Sequence, residues 1–390
     1  MARNTLLCTV GTSLFDANLK KLGDETQRSK MKLPENWQAI ENAYRAKDWS
    51  TLAKELLDVS PTERLCGAEI NTIEEICKRK LLSLENIIFL VSDTDSGKDT
   101  GIVLKAYFER RKRRGASELN LKTIDYDIVE ELQDQEPQRF KTYGLRNLVR
   151  KIGNYIQRFG GPDYIAIDAT GGYKAQIAVA VIVGQALNIP VFYKHELFTE
   201  IINFPPLPVT FDYQLLAENA DLLNDFEQGM MITSDEIGRI DPKLRVLLTE
   251  VTVDGKTLYE LSPIGQIYLT GFRIRFPKVP NLTPAANRKE PTFGKSHHYP
   301  KGFKEFVYKV WSEMPWVVTI FTLPYDKQTS IRGIGFQVRS DGEKRKLIGT
   351  YRDRKGFGAR FELELTDKSE IALAWAADHL NQKYKACELG

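Results

Sequence analysis

Residues 167–179 read "IDATGGYKAQIAV". An apolar, strand-like run ends in Ala-Thr-Gly-Gly-Tyr-Lys and passes straight into a helix-like run. A buried strand that turns directly into a helix is the repeating unit of a parallel sheet flanked by helices. Gly171 and Gly172 admit two explanations. Either the turn is simply tight, or its backbone comes close to a ligand. In the second case the free N–H groups of the helix's first turn, with Lys174 beside them, face an anion.

The same alternation runs through the first 205 residues or so. "TLLCTV" (5–10), "NIIFLVS" (86–92), "TIDYDIV" (123–129), "DYIAID" (163–168) and "IPVFYK" (189–194) are short and rich in Ile, Val and Leu. Longer amphipathic stretches lie between them, at 36–57, 97–114, 137–158 and 174–187. The expected fold class is α/β, a parallel sheet with helices on both faces. The three prolines of "NFPPLPVTF" (203–211) argue against a helix or a central strand and mark the domain exit.

A smaller unit spans 212–280. "YQLLAENADLLNDFEQG" reads as a helix, and "RVLLTEVTVDGKTLYELSPIGQIYLTGF" as strand, Asp254-Gly255 turn, strand and helix. Helices followed by a two-stranded wing suggest a winged helix-turn-helix. Such a unit serves DNA binding, spacing or dimer contacts, and no basic recognition helix is visible. Residues 277–300 carry five prolines and few apolar residues and read as a linker. Residues 281–390 thus comprise linker and a small α+β domain. In it "WVVTIFTL", "IRGIGFQVRS", "KRKLIGTYR" and "ARFELEL" form antiparallel strands between two helices.

Charge separates these parts. Residues 281–390 hold 19 Lys+Arg against 13 Asp+Glu, whereas residues 1–280 hold 36 against 39. A basic C-terminal quarter favours a polyanionic partner. Cys8, Cys66, Cys77 and Cys387 form no C-x-x-C pair and adjoin no histidine, so neither a metal nor a disulfide framework is expected. No apolar run reaches the roughly 18 residues of a spanning helix. The apolar N-terminal run lacks a following cleavage site. The expectation is a cytoplasmic protein with no membrane partner and no cofactor.

Two further turns share the sheet edge with 170–174. "TVGTSLFDANL" (9–19) places Gly11, Thr12 and Ser13 after the first strand, and "SDTDSGKDTG" (92–101) follows another. Three polar, small-residue turns at the carboxyl edge of one sheet build a ligand cleft. "DSGKDT" lacks the upstream glycine of a phosphate loop, and Asp99 follows Lys98. G-x-G-x-x-G is also absent. Neither a Walker-type NTPase nor a dinucleotide oxidoreductase is supported.

"LLCTVGTSLF", "IDATGGYKAQIAVA" and "VFYKHELFTEIINFPPLPVTFD" resemble the CRISPR-associated Rossmann-fold (CARF) sensor family over residues 1–211. The resemblance implies a Rossmann-like sensor domain that binds cyclic oligoadenylates, most often cyclic tetra-adenylate, across a homodimer axis. Carried over by motif, the ligand contacts are Gly11, Thr12 and Ser13; Thr94, Asp95 and Ser96; and Gly171, Gly172, Tyr173 and Lys174. Some members of the family also cleave their ligand.

Such a sensor implies an effector in the basic C-terminal domain. The R-x-x-x-x-H motif of HEPN ribonucleases is missing, since Ala374 stands five residues before His379. The acidic residue and E-x-K of metal-dependent PD-(D/E)xK nucleases are poorly matched by Asp341 or Asp353 with Glu364. What remains is a set of cations interleaved with aromatics, suited to gripping phosphates and stacking bases. The domain resembles the RelE family of messenger-RNA interferases, which cut in the ribosomal A site. Sensor, winged helix and RelE-like toxin in this order resemble the CRISPR-associated messenger-RNA interferases. The resemblance implies an allosteric activator, ribosome-bound mRNA as partner and metal-free RNA cleavage by the substrate's own 2′-OH. Tyr351, Arg352, Arg354, Lys355 and Arg360 are the candidate catalytic residues. Lys301, Lys304, Arg332, Arg339, Lys344, Arg345 and Lys346 are the candidate RNA-binding residues. His297 and His298 lie in the linker, His379 on an Ala-rich helix, and His195 beside the sensor's last strand. Two alternatives stay open: a metal-dependent nuclease on free RNA or DNA, and a ligand-gated winged-helix regulator without catalysis.

Overall fold

A computed structural model of the chain describes residues 3–114, 120–195, 198, 200–238, 240–279, 281–294, 298–324, 331–341 and 344–385. It divides into two compact units. One runs up to Thr210 and includes Gln266–Arg275; the other comprises Phe211–Gly265 and the chain from Phe276 onward.

The first unit is built on a six-stranded sheet. β1 (Thr5–Thr9), β2 (Asn86–Ser92), β3 (Thr123–Val129), β4 (Ile165–Asp168) and β5 (Val191–Tyr193) are parallel, and β6 (Ile202–Phe204) closes one edge antiparallel. The order is β3-β2-β1-β4-β5-β6. Every residue of β1 and β2 is buried because apolar clusters cover both faces. Alternation sends Leu6 and Cys8 to a cluster with Ile70, Ile73, Leu104 and Phe108. It sends Leu7 to the opposite cluster with Leu148, Ile152, Val179 and Val183.

The longer helices are α1 (Trp37–Arg45), α2 (Trp49–Leu56), α3 (Gly67–Lys78), α4 (Asp95–Arg113), α5 (Leu145–Arg158) and α6 (Lys174–Leu187). The amphipathic stretch at 36–57 is two helices, and α3 goes beyond the helices expected from the sequence. Glu69, Glu74 and Glu75 of α3 are buried, so its inward face is partly acidic and its apolar periodicity is masked. Arg111 of α4 answers Glu74 at 2.9 Å.

In the second unit, α7 (Tyr213–Glu227) precedes a small antiparallel sheet of β7 (Ile232–Thr233), β8 (Leu248–Val253) and β9 (Lys256–Leu261), ordered β7-β9-β8. The β8–β9 turn has Asp254 at φ 50° and Gly255 at φ 74°, the positive angles of a primed hairpin turn. α8 (Pro263–Arg275) follows, and its residues from Gln266 on belong to the first unit. α9 (Phe303–Glu313) and α10 (Glu370–Lys385) accompany the strands β10 (Val317–Thr322), β11 (Gly335–Asp341), β12 (Lys344–Arg352) and β13 (Gly358–Leu365). These form an antiparallel sheet ordered β10-β13-β12-β11. The architecture is therefore mixed α/β: a mostly parallel sheet, then smaller antiparallel sheets. Fully buried Asn381 of α10 clamps edge strand β11 by bonding Phe336 N–H at 2.9 Å and Phe336 C=O at 2.7 Å.

The stretch read as a linker departs from that expectation. Lys289 N–H donates to Val318 C=O, Thr292 N–H to Ile320 C=O and Thr322 N–H back to Thr292 C=O. Arg288 lies over the Trp311 ring at 4.2 Å. This polar, proline-containing segment covers the outer edge of β10, satisfying backbone groups that would otherwise form an open edge. Its pairing uses main chain, which leaves no side-chain pattern to read.

Candidate ligand cleft and basic surface

The strand order reverses between β1 and β4, and ligands of open α/β sheets bind where the chains diverge beyond such a point. A cavity of about 490 Å³ lies there, lined among others by Gly11, Thr12, Ser13, Ser92, Gly171, Gly172, Tyr173 and Lys194. The first and third turns of the sequence reading therefore meet in one cleft.

The glycines have a structural reason of their own. A Cβ on Gly11 would lie 2.7 Å from Gly172 N, and one on Gly171 would collide with the Glu69 carboxylate. Gly172 has φ +109°, which L side chains rarely adopt. Gly11 N–H donates to Glu69 Oε1 at 2.9 Å, and Thr9 Oγ1 donates to Gly171 C=O at 2.6 Å. The two turns thus interlock, and the interlock forms the cleft floor. Tight turn and ligand approach are two aspects of one arrangement. Gly11 N–H is already committed inward, so it is not a free anion donor.

Two carboxyl groups lie beneath this floor. Glu69 and Asp168 are fully buried, and among the described residues Glu69 Oε2 and Asp168 Oδ2 have no hydrogen-bond partner. Asp168 Oδ1 accepts from Thr170 N–H at 3.1 Å and Thr170 Oγ1 at 2.6 Å. Burial pushes Asp168 up to about 7, with Glu69 adding to the rise against the Thr170 bonds. Burial raises Glu69 too, against the Gly11 N–H bond. The folded state therefore holds a proton on Asp168 that the unfolded chain, near its ordinary 3.8, has released. Stability is expected to fall as pH rises from about 4 through about 7 and then level off. Asp168→Asn keeps an acceptor for Thr170 and should flatten that decline in thermal unfolding across pH.

The second turn is differently employed. Thr94 Oγ1 caps α4 by accepting from Gly97 N–H at 3.0 Å, and Lys98 pairs with Asp93 at 3.1 Å. Ser92, at the end of β2, lines the cleft in place of Thr94, Asp95 and Ser96. Lys174 is exposed at the start of α6 and is also outside the lining. Lys194 and His195, just past β5, do line it. Applying the carboxyl-edge argument to the fifth strand would have found both. Lys194 N–H donates to Thr170 Oγ1 at 3.1 Å, tying this strand end to the third turn. An adjoining cavity of about 450 Å³ shares Ser13, Lys194 and His195 and adds Asn18, Arg64, Asn71 and Phe198. The His195 and Phe198 rings lie 4.7 Å apart.

In the second unit the basic residues form separate groups. Lys344 and Arg352 stand at opposite ends of β12, about 26 Å apart at ~3.3 Å per residue. At the first end Arg345 pairs with Glu370, Lys346 lies 3.4 Å from Glu362, and Lys368 answers Glu364 at 2.9 Å. Arg339 sits opposite Lys346 on β11. Lys344, Arg345, Lys346 and Lys368 line a cavity of about 720 Å³ that also exposes Phe321. At the other end Arg352, Arg354 and Lys355 are exposed, with exposed Phe357 beside them. Tyr351 O–H donates to Lys301 C=O at 2.9 Å, joining Lys301 to this end. Lys304 lies over the Phe293 and Tyr299 rings at 5.3 and 5.7 Å.

Arg332 faces Asp221 and Asp225 of α7 at 3.7 and 3.9 Å, in a cavity that Arg352 also lines. Arg360 is only 7% exposed and lies within the sheet, apart from the exposed cations. His379 stacks on Trp375 at 4.6 Å and 9°; burial and then Lys383 lower its pKa, as for a packed side chain. His298 is exposed, and His297 lies outside the described residues.

Residues 64–207 match the family model described as CRISPR-associated protein (Cas_APE2256). The match covers over a third of the chain and takes in β2 through β6, and it indicates a CRISPR-associated protein. No curated protein matches the chain. No helix among the described residues is long and apolar enough to cross a membrane.

Proposed function

We propose that the protein is a CRISPR-associated sensor and effector in one chain. The first unit binds a cyclic oligoadenylate, cyclic tetra-adenylate in this reading, as a homodimer with the ring shared between two copies. The second unit is a metal-independent endoribonuclease acting on mRNA in the ribosome. The observation that carries the sensor half is the cleft at the β1/β4 switch point, together with the CRISPR-associated match of the surrounding sequence. Hydroxyls of Thr12 and Ser13, the Tyr173 ring and the Lys194 ammonium suit a ring of phosphates and adenines. The effector half rests on exposed cations and aromatics around 351–357, which suit RNA phosphates and bases. Activation requires that the ring bind the active state more tightly than the resting one.

Calorimetric titration with cyclic tetra-adenylate tests the sensor half. One ring per two chains is expected, with affinity at least ten-fold weaker in Lys194→Ala. Absence of binding to the wild-type protein would remove this reading.

A further inference from the structure

We infer that Asp353 is a positioning residue of the ribonuclease surface, holding Lys301 and the Arg354–Lys355 turn at a fixed spacing around one phosphate. The inference rests on the proposed RNA cleavage. Asp353 stands among Lys301, Arg352, Arg354 and Lys355, where a carboxylate would by charge alone repel a phosphate. Its oxygens are turned to the main chain instead. Oδ1 accepts from the N–H of Lys355 at 2.9 Å and of Phe357 at 3.0 Å, and Oδ2 accepts from Lys301 N–H at 3.2 Å.

Backbone bonds complete the turn: Asp353 N–H to Phe357 C=O at 2.9 Å, and Gly356 N–H to Asp353 C=O at 3.0 Å. Arg352 Nε donates to Gly356 C=O at 3.1 Å. Loop 300–302 is held from its other side as well. Tyr351 O–H bonds Lys301 C=O, and Gly302, at φ +82°, passes so close that a Cβ would lie 2.7 Å from the Tyr351 oxygen. One carboxylate thus sews two separate loops together at the point where the exposed cations meet. RNA cleavage by an internal 2′-OH depends on aligning that oxygen with the phosphorus and the leaving oxygen, so fixed cation spacing acts on turnover more than on binding.

The test is Asp353→Asn in the full chain, assayed on programmed ribosomes with cyclic tetra-adenylate. The amide can keep its oxygen toward the 355–357 turn, which places an NH₂ against Lys301 N–H and frees that loop. We expect kcat to fall at least ten-fold while KM for the ribosomal substrate stays the same or drops, since every cation remains and one negative charge is gone. Amide hydrogen exchange should quicken at Lys301 and stay unchanged across β12 and β13, which separates loop release from unfolding. Wild-type kcat in the variant would overturn the inference and leave the ribonuclease proposal standing. Faster exchange across the whole sheet together with parallel losses in kcat and binding would overturn it in favour of a merely structural role. A wild-type protein that cleaves nothing would remove the ribonuclease proposal and the inference with it.

Discussion

Gly171→Ala is expected to destabilise the first unit by about 2–6 kcal/mol and to weaken ligand binding with it. The new methyl group would overlap Glu69 Oε1 and lie 3.0 Å from Gly11 N. The Glu69 side chain is fully buried, so its carboxyl group has no open side to swing into. If it shifts, Gly11 N–H loses its acceptor beneath the cleft, a loss of roughly 1–3 kcal/mol for a buried donor. Forcing extra volume into a packed site adds about 1–3 kcal/mol. The same substitution at Gly161, which has no atom of the described residues within 4 Å of its Cβ position but φ +120°, isolates backbone strain from collision. Urea denaturation of the two variants separates these effects. A loss below about 0.5 kcal/mol at Gly171 would mean that the turns do not interlock.

The second large effect is expected at Lys385, in the last turn of α10. Its ammonium group, only 8% exposed, pairs with Asp221 and Asp225 of α7 and donates to Asp221 C=O at 2.9 Å. Removing one partner of a buried ion pair leaves charge uncompensated, which costs about 3–5 kcal/mol. Lys385→Met should therefore destabilise the second unit by that order, moderated by Arg332 near both carboxylates. Burial raises Asp225, against the pull of Lys385, and without the lysine it should rise further. The variant's Asp225 carboxyl group then takes up a proton as pH falls. The deficit is greatest at neutral pH and shrinks toward pH 4–5. Adding Asp225→Asn should recover part of the loss at pH 7. Chemical denaturation of the variants at both pH values measures it, and a deficit that grows on acidification would contradict the ion-pair account.

The parallel sheet was legible because its strands announce burial on both faces. β1 and β2 carry apolar residues on both sides, with no polar alternation to confuse them with an exposed ribbon. α3 was hidden by its buried acids; the partners of Glu69 and Glu74, Gly11 N–H and Arg111, lie far away in sequence. The strap over β10 was hidden because backbone pairing has no side-chain signature. At the cleft, the turns after β1 and β4 were legible from glycines and hydroxyls. The weight given to Thr94–Ser96 reflects local composition, whereas strand order decides which turns face each other. That order cannot be read from any one turn. The C-terminal cations were legible as a group, but only the fold separates those paired with Glu362, Glu364 and Glu370 from those exposed around Asp353. Composition could not show that Arg360 is buried.

The central claim is that a cyclic oligoadenylate bound by the first unit switches on RNA cleavage by the second. The most direct measurement adds the full chain to translating ribosomes and to naked RNA, each with and without cyclic tetra-adenylate, in the presence of a metal chelator. The account predicts mRNA cleavage on ribosomes only, dependent on the ring and indifferent to the chelator. Cleavage of naked RNA or DNA that requires a divalent metal, or ribosomal cleavage unaffected by the ring, would contradict it.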